Sequence, residues 1–160
     1  MKKYLVLSLL IILLIGFIVF LYYYSVWSDE HEYRQHMIDK AYNSVPSLKT
    51  IEEVDYFTGK KEYYFLFGKD NNDLPLLIWV NEEEIYTIYL FKWVTKDEIE
   101  KSAKTYAPGA SIERINAGID EDNKLIYEVL YRNQDGRLGY QYFSLRDGKL
   151  LSMYLLGKVN

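Results

Sequence analysis

The chain has 160 residues with 19 basic and 23 acidic side chains, no cysteine, and 49% hydrophobic residues. No cysteine means no disulfides, no thiol catalysis, no acylated cysteine and no Cys-based zinc site, so the fold must rest on its apolar core. Lys2 and Lys3 are the only charged residues before residue 25, so the remainder carries 17 basic and 23 acidic groups with no Lys/Arg run longer than two, which excludes nucleic acid as a partner.

From Tyr4 to Tyr24 there are 21 consecutive residues without formal charge. A helix of that length covers roughly 30 Å, the thickness of a bilayer's hydrocarbon core, and it exceeds the usual secretory h-region. The residues that follow, Tyr22, Tyr23, Tyr24, Ser25, Val26 and Trp27, do not offer the small side chains that signal peptidase cleavage needs. Tyr22, Tyr23, Tyr24 and Trp27 instead suit the headgroup level, where an amphipathic ring has one apolar and one wet end. The expectation is an uncleaved signal anchor over residues 4–24. Lys2 and Lys3 hold the tail of residues 1–3 in the cytoplasm, while Asp29, Glu30 and Glu32 follow on the outer side.

Residues 25–160 suffice for one ordinary domain or two small ones. A helix is predicted from about Asp29 to Asn43, with an apolar side of Tyr33, Met37, Ile38, Ala41 and Tyr42, and Pro46 follows its end. Four short runs rich in Tyr, Ile, Val and Phe come next, bounded by FTGKK, KDNNDLP and VNEEE. At Thr95 the pattern restarts. TKDE at 95–98 reads as a capping box, Ile99, Ala103 and Tyr106 form one stripe, and Pro108 with Gly109 stops the helix. About four more strand-like runs follow, bounded by DEDNK, NQDGR and RDGK.

The two stretches align at an offset of about 64 residues, which sets Tyr63 on Tyr127, Leu66 on Leu130, Leu74 on Leu138, Trp79 on Phe143 and Tyr42 on Tyr106. The predicted fold is α+β: after the anchor, a first repeat over 25–94 and a second over 95–160, each a helix laid on an antiparallel sheet. Residues 31–94 hold 7 basic and 11 acidic side chains against 10 of each in 95–158, so the repeats present different surfaces.

Candidate chemistry is sparse. His31 and His36 are five residues apart on a predicted helix, about 140° around its axis, which suits neither a metal pair nor a shared acid/base face. DNND (70–73) and DEDN (120–123) lack the glycine and closing glutamate of a calcium loop and read as turns. VNEEEIY reads as a hairpin connection, with an acidic contact patch as the functional alternative. The 17 tyrosines, 13 outside the anchor, suit sheet packing, and any that stay exposed would mark a recognition surface. No catalytic, cofactor or metal residues are assigned.

The helix leading into APGASI (107–112), then YEVLY (127–131) and DGRLGYQYFSLRDGKLL (135–151), resembles a PepSY domain, a small cystatin-like module. With the anchor and the divergent first copy, the whole chain resembles the TseB-like (YpmB-like) cell wall elongation regulators of Gram-positive bacteria. That resemblance implies a non-enzymatic, single-pass membrane protein whose exterior domain binds an elongation-specific penicillin-binding protein. A peptidase-restraining PepSY role and a wall-polymer-binding role are the alternatives.

Overall fold

The computed structural model describes residues 2–91 and 93–157, with the side chains of residues 2–10 and 24–29 outside the description. The element order is α1 (Lys2–Ser44), β1 (Leu48–Thr58), β2 (Glu62–Asp70), β3 (Pro75–Val80), β4 (Ile85–Tyr89), α2 (Lys96–Tyr106), β5 (Ser111–Ile119), β6 (Leu125–Arg132), β7 (Leu138–Ser144) and β8 (Leu150–Leu155). The chain divides into two compact units, residues 1–40 and 41–160.

The first unit is helical. The separate helix expected from about Asp29 is the continuation of α1, which runs unbroken to Ser44. Nothing in SDEHEYRQ supplies a proline or glycine to end it. Every described side chain from Ile11 to Tyr23 is exposed. Among the described residues no helix is long and apolar enough to cross a membrane. The apolar run itself begins at Tyr4, among side chains outside that description.

The second unit holds two four-stranded antiparallel sheets, β1-β2-β3-β4 and β5-β6-β7-β8, as the α+β reading expects. Three of the hairpins are built alike. Asp70, Asp120 and Asn133 each turn a side-chain oxygen back to the amide four residues on, at Leu74, Lys124 and Arg137. The residue before that amide takes a left-handed conformation: Asp73 (φ 61°), Asn123 (φ 61°) and Gly136 (φ 77°). Asp, Asn and Gly tolerate it, which is why these turns carry them. DNND and DEDN are thus turns whose leading carboxylates are spent on backbone N–H groups.

Strand pairing corrects the repeat register. Tyr64 lies opposite Val80 as Tyr127 lies opposite Phe143, and Lys69 opposite Pro75 as Arg132 lies opposite Leu138. The offset here is therefore 63, and Tyr127 corresponds to Tyr64, not to Tyr63. A single-residue slip moves a strand side chain to the other face of its sheet. Adjacent tyrosines at 63 and 64 make the two registers indistinguishable by identity.

Helix α2 starts at the expected capping box: Thr95 Oγ1 accepts from the Glu98 N–H, and the Thr95 N–H donates to the Glu98 carboxylate at 2.8 Å. It lies against β5 and β6. Ile99 and Ala103 are fully buried, while Tyr106, expected on the same stripe, is half exposed, with its ring 6.1 Å from that of the core residue Phe143. Gln141 of β7 donates to the Ala103 carbonyl and fixes the helix end.

One core serves both sheets. Tyr63, Phe65 and Leu77 of the first sheet pack with Ile99 and Ala103 of α2 and with Ala117, Tyr127, Val129 and Phe143 of the second. The connection between the sheets joins in, with Leu90, Trp93 and Val94 against the core and the Tyr127 hydroxyl donating to the Val94 carbonyl at 3.1 Å.

The sheets meet along β1 and β5 through a reciprocal clamp. Asp55 Oδ2 accepts from the Ala117 N–H at 2.8 Å, and Asn116 Nδ2 donates to the Tyr56 carbonyl at 3.1 Å. By the pairing register Asp55 and Asn116 are equivalent positions, since Tyr56 pairs with Tyr64 as Ala117 pairs with Tyr127. The other Asp55 oxygen accepts from Lys96 Nζ at 2.7 Å, at the first turn of α2. Asp55 is only 7% exposed. Burial pushes its carboxyl above the usual value, with Lys96 and the Ala117 N–H pulling the other way. Beside the clamp Gly118 touches the Phe57 ring, where an added Cβ would lie 2.5 Å from ring carbons.

Replacing Asp55 by alanine leaves the Ala117 amide without its acceptor and removes one of the two carboxylates that Lys96 holds. The expected loss is about 2–3 kcal/mol, less than for a fully buried pair because Lys96 keeps Glu53 at 2.7 Å. Urea unfolding of the wild type should show both sheets melting in one transition, and D55A should shift its midpoint down. Two separated wild-type transitions would contradict the shared core.

Candidate functional site

An open groove of about 1290 Å³ lies within the 41–160 unit, lined by both sheets. The aromatic row of the first sheet leads into it. Phe57, Phe65, Trp79 and Tyr86 stand one per strand across β1, β2, β3 and β4. Phe57 meets Phe65 edge-on at 6.3 Å, Phe65 stacks on Trp79 at 6.5 Å, and Trp79 stacks on Tyr86 at 5.3 Å. The row exists because Phe65 pairs with Trp79 and Trp79 with Tyr86 in the ladders. Phe65 is buried in the shared core, Trp79 is half-buried and Tyr86 is 46% exposed. The row thus passes from packing to open surface within one sheet.

A polar network stands beside it. The hairpin connection VNEEEIY is closed by the Asn81 side chain, which accepts from the Glu83 and Glu84 N–H groups. That fold-back leaves Glu82 and Glu83 exposed on the turn and puts Glu84 on the groove wall. Its carboxylate accepts from the Tyr63 hydroxyl at 2.6 Å and from Lys61 Nζ at 2.8 Å. Lys61 and then Tyr63 hold Glu84 below the usual glutamate value. Burial first, then the bond to Glu84, pushes the Tyr63 phenol up to about 12.

The second sheet supplies the facing wall with Glu128, Tyr142 and Tyr154. Glu128 pairs with Tyr142 in the ladder and lies 3.7 Å from the Arg114 guanidinium. Burial, then the Glu128 charge, raises the Tyr142 phenol well above the ordinary value. Tyr140 stacks on Tyr142 at 6.3 Å, and Tyr154 meets Tyr142 edge-on at 6.0 Å. The turn of Asp120, Glu121 and Asp122 closes one end.

This arrangement offers aromatic faces and oriented carboxylates to a ligand. Four of its carboxylates have partners within the chain: Glu84 with Lys61, Asp120 with backbone amides, Asp122 with Lys124 and Glu128 with Arg114. His31 and His36 are exposed on α1, in the other compact unit. Among the described residues no group of three or more His, Asp or Glu is placed to hold a metal ion. Of the residues expected to anchor the chain, Tyr22 and Tyr23 are exposed on α1, at 71% and 75%; the side chains of Lys2, Lys3, Tyr24 and Trp27 lie outside the described ones.

The sequence singled out part of the groove, since VNEEEIY as an acidic contact patch holds Glu84 and Tyr86 and DEDN forms residues 120–123 of its lining, but not Trp79, Glu128 or Tyr142. One signal was available: Trp79 and Tyr86 are symmetric about the Asn81–Glu84 turn and must pair if it closes a hairpin.

No family model matches the chain. A tandem of two antiparallel four-stranded sheets with a helix on the second is a fold it shares with a solved structure, YpmB protein from Bacillus subtilis. The TM-score is 0.64 with 22% identity, covering 76% of this chain and 96% of that one. In sequence, the chain is 25% identical over 107 residues to the "Probable cell wall elongation regulator TseB" of Bacillus subtilis (strain 168). The match covers 65% of this chain and 66% of that protein, a little under two thirds of its length. The chain is TseB/YpmB-like, as its sequence motifs suggest.

The Tyr63–Glu84 bond makes a pH test possible. Glu84 titrates lower folded than unfolded, so its contribution to stability is present above its ordinary value of 4.5 and is lost as pH falls through the folded value. By NMR its side-chain carboxyl carbon should titrate below 4.5, and Tyr63→Phe should move the midpoint upward. An unchanged midpoint would mean that the hydroxyl does not hold the carboxylate.

Proposed function

We propose that this chain is a non-enzymatic, membrane-anchored regulator of cell wall elongation that works at the outer face of the membrane by binding an elongation-specific penicillin-binding protein. The observation that carries the reading is the similarity to a cell wall elongation regulator over 107 residues. The shared fold is compatible with it. The anchor over residues 4–24 is supported by the charge-free, largely apolar run and by the exposure of every described side chain from Ile11 to Tyr23, a surface that water would not tolerate bare. Tethering supplies the mechanism, since confinement to the membrane plane raises the effective concentration of a weak partner. The resemblance seen in the sequence supplies the synthase as partner, and the groove offers a surface for contact. The domain's acidic balance opposes binding to anionic wall polymers.

Photocrosslinking from the exterior domain in intact cells, read by mass spectrometry, should recover a penicillin-binding protein. Recovery of a protease, or of no protein, would overturn the reading. Export of the exterior domain without residues 4–24 should abolish most of the regulatory effect on elongation, measured as cell length, through lost effective concentration.

Replacing His31 and His36 together by glutamine should leave that effect nearly intact. Its loss, with folding and partner capture unchanged, would contradict a non-enzymatic role.

A further inference from the structure

The geometry of the groove points to its occupant, and we infer that it takes an extended, lysine- or arginine-bearing segment of a protein partner. The inference rests on the reading that the chain acts by binding a protein, and it names the face and the chemistry.

Size is the first argument. At about 1290 Å³ the groove exceeds the roughly 300–1000 Å³ of small-molecule pockets and suits a stretch of polypeptide. Its walls come from different sheets and include β4 and β8, the end strands of those sheets, through Tyr86 and Tyr154. An end strand carries a row of backbone N–H and C=O groups without a ladder partner, which an extended segment can pair.

Charge selects the side chains. Five carboxylates line the groove against two ammonium groups, those of Lys60 and Lys61. Asp120 is spent on its own turn, Glu84 already holds Lys61, Asp122 holds Lys124 at 3.0 Å, and Glu128 faces Arg114 at 3.7 Å. Glu84, from the first sheet, is oriented by the Tyr63 hydroxyl, and Glu128, from the second, stands beside the Arg114 guanidinium. A carboxylate has about four lone-pair sites, so both retain acceptor capacity for an incoming N–H. The stacked faces of Trp79 and Tyr86 complete the site, because a lysine or arginine stem lies flat on a ring while its cation is attracted to the ring's electrons. The acidic excess of the lining disfavours an acidic segment. A neutral glycan could use the rings but would gain nothing from that excess.

The test is fluorescence anisotropy with the full chain in detergent and a dye-labelled peptide alternating lysine with leucine and tyrosine. It should bind about tenfold or more tightly than its glutamate counterpart, and should weaken severalfold as salt rises from about 0.05 to 0.5 M. Tyr86→Ser and Glu128→Gln should each weaken it about threefold or more, with thermal midpoints near that of the wild type. Equal binding of the glutamate peptide, indifference to both substitutions, or displacement by an N-acetylglucosamine tetramer would overturn the inference. In-cell crosslinking separates its failure from that of the functional reading. If the doubly substituted chain captures its partner undiminished, the groove assignment falls and protein binding stands; if no version captures any protein, both fall.

Discussion

The tertiary structure turns on one buried carboxylate. Asp55 sits on β1 at the seam between the two sheets and satisfies at once an amide of β5 and the ammonium at the start of α2. The reciprocal bond from Asn116 to Tyr56 comes from the equivalent position in the second sheet, so the repeats hold each other with the same strand surface, as the halves of a two-fold interface do. Burying a charge is costly, and the raised Asp55 value shows that the cost is not fully offset. What the clamp contributes is a fixed approach: the amide, the ammonium and the Phe57–Gly118 contact are all met in one position of β5 against β1.

From that seam the rest follows. With β5 held against β1, one apolar core forms between the sheets, and α2 fills it with Ile99 and Ala103. The connection through Leu90, Trp93 and Val94 is packed into the same core, so it acts as part of the fold. Beyond the core the sheets present facing walls, and the aromatic row that starts at Phe57 emerges there as Trp79 and Tyr86. A binding surface at such a junction is preorganised, because the groups that line it sit on paired strands.

The two halves have diverged where they meet solvent. Equivalent hairpins keep the same turn construction, Asp70 to Leu74 and Asn133 to Arg137, because the backbone geometry demands it. Wall residues differ: the first sheet brings a lysine-bound glutamate beside stacked rings, the second a glutamate facing Arg114 beside Tyr142 and Tyr154. A single groove built from unlike walls reads a partner asymmetrically, which two identical faces could not do.

The sequence by itself determined the local elements. The capping box at Thr95, the turns opened by Asp70, Asp120 and Asn133, the strand-rich runs and the tandem order all follow from interactions within a few residues, and such interactions are written in adjacent letters. So were the apolar run of residues 4–24 and the absence of any cysteine chemistry. Register was not. Tyr63 and Tyr64 offer the same letter to two alignments, and only the ladder decides that Tyr64 corresponds to Tyr127, because a strand's faces are assigned by its partners. Tyr106 reads as core by periodicity yet is half exposed, meeting the core through its ring contact with Phe143. The clamp and the groove lay furthest from legibility. Asp55 and Ala117 stand 62 residues apart, and Glu84 and Glu128 come to line one groove from different sheets. Nothing local to those residues distinguishes them from surface acids, and only the packing of one sheet against the other gives them their roles.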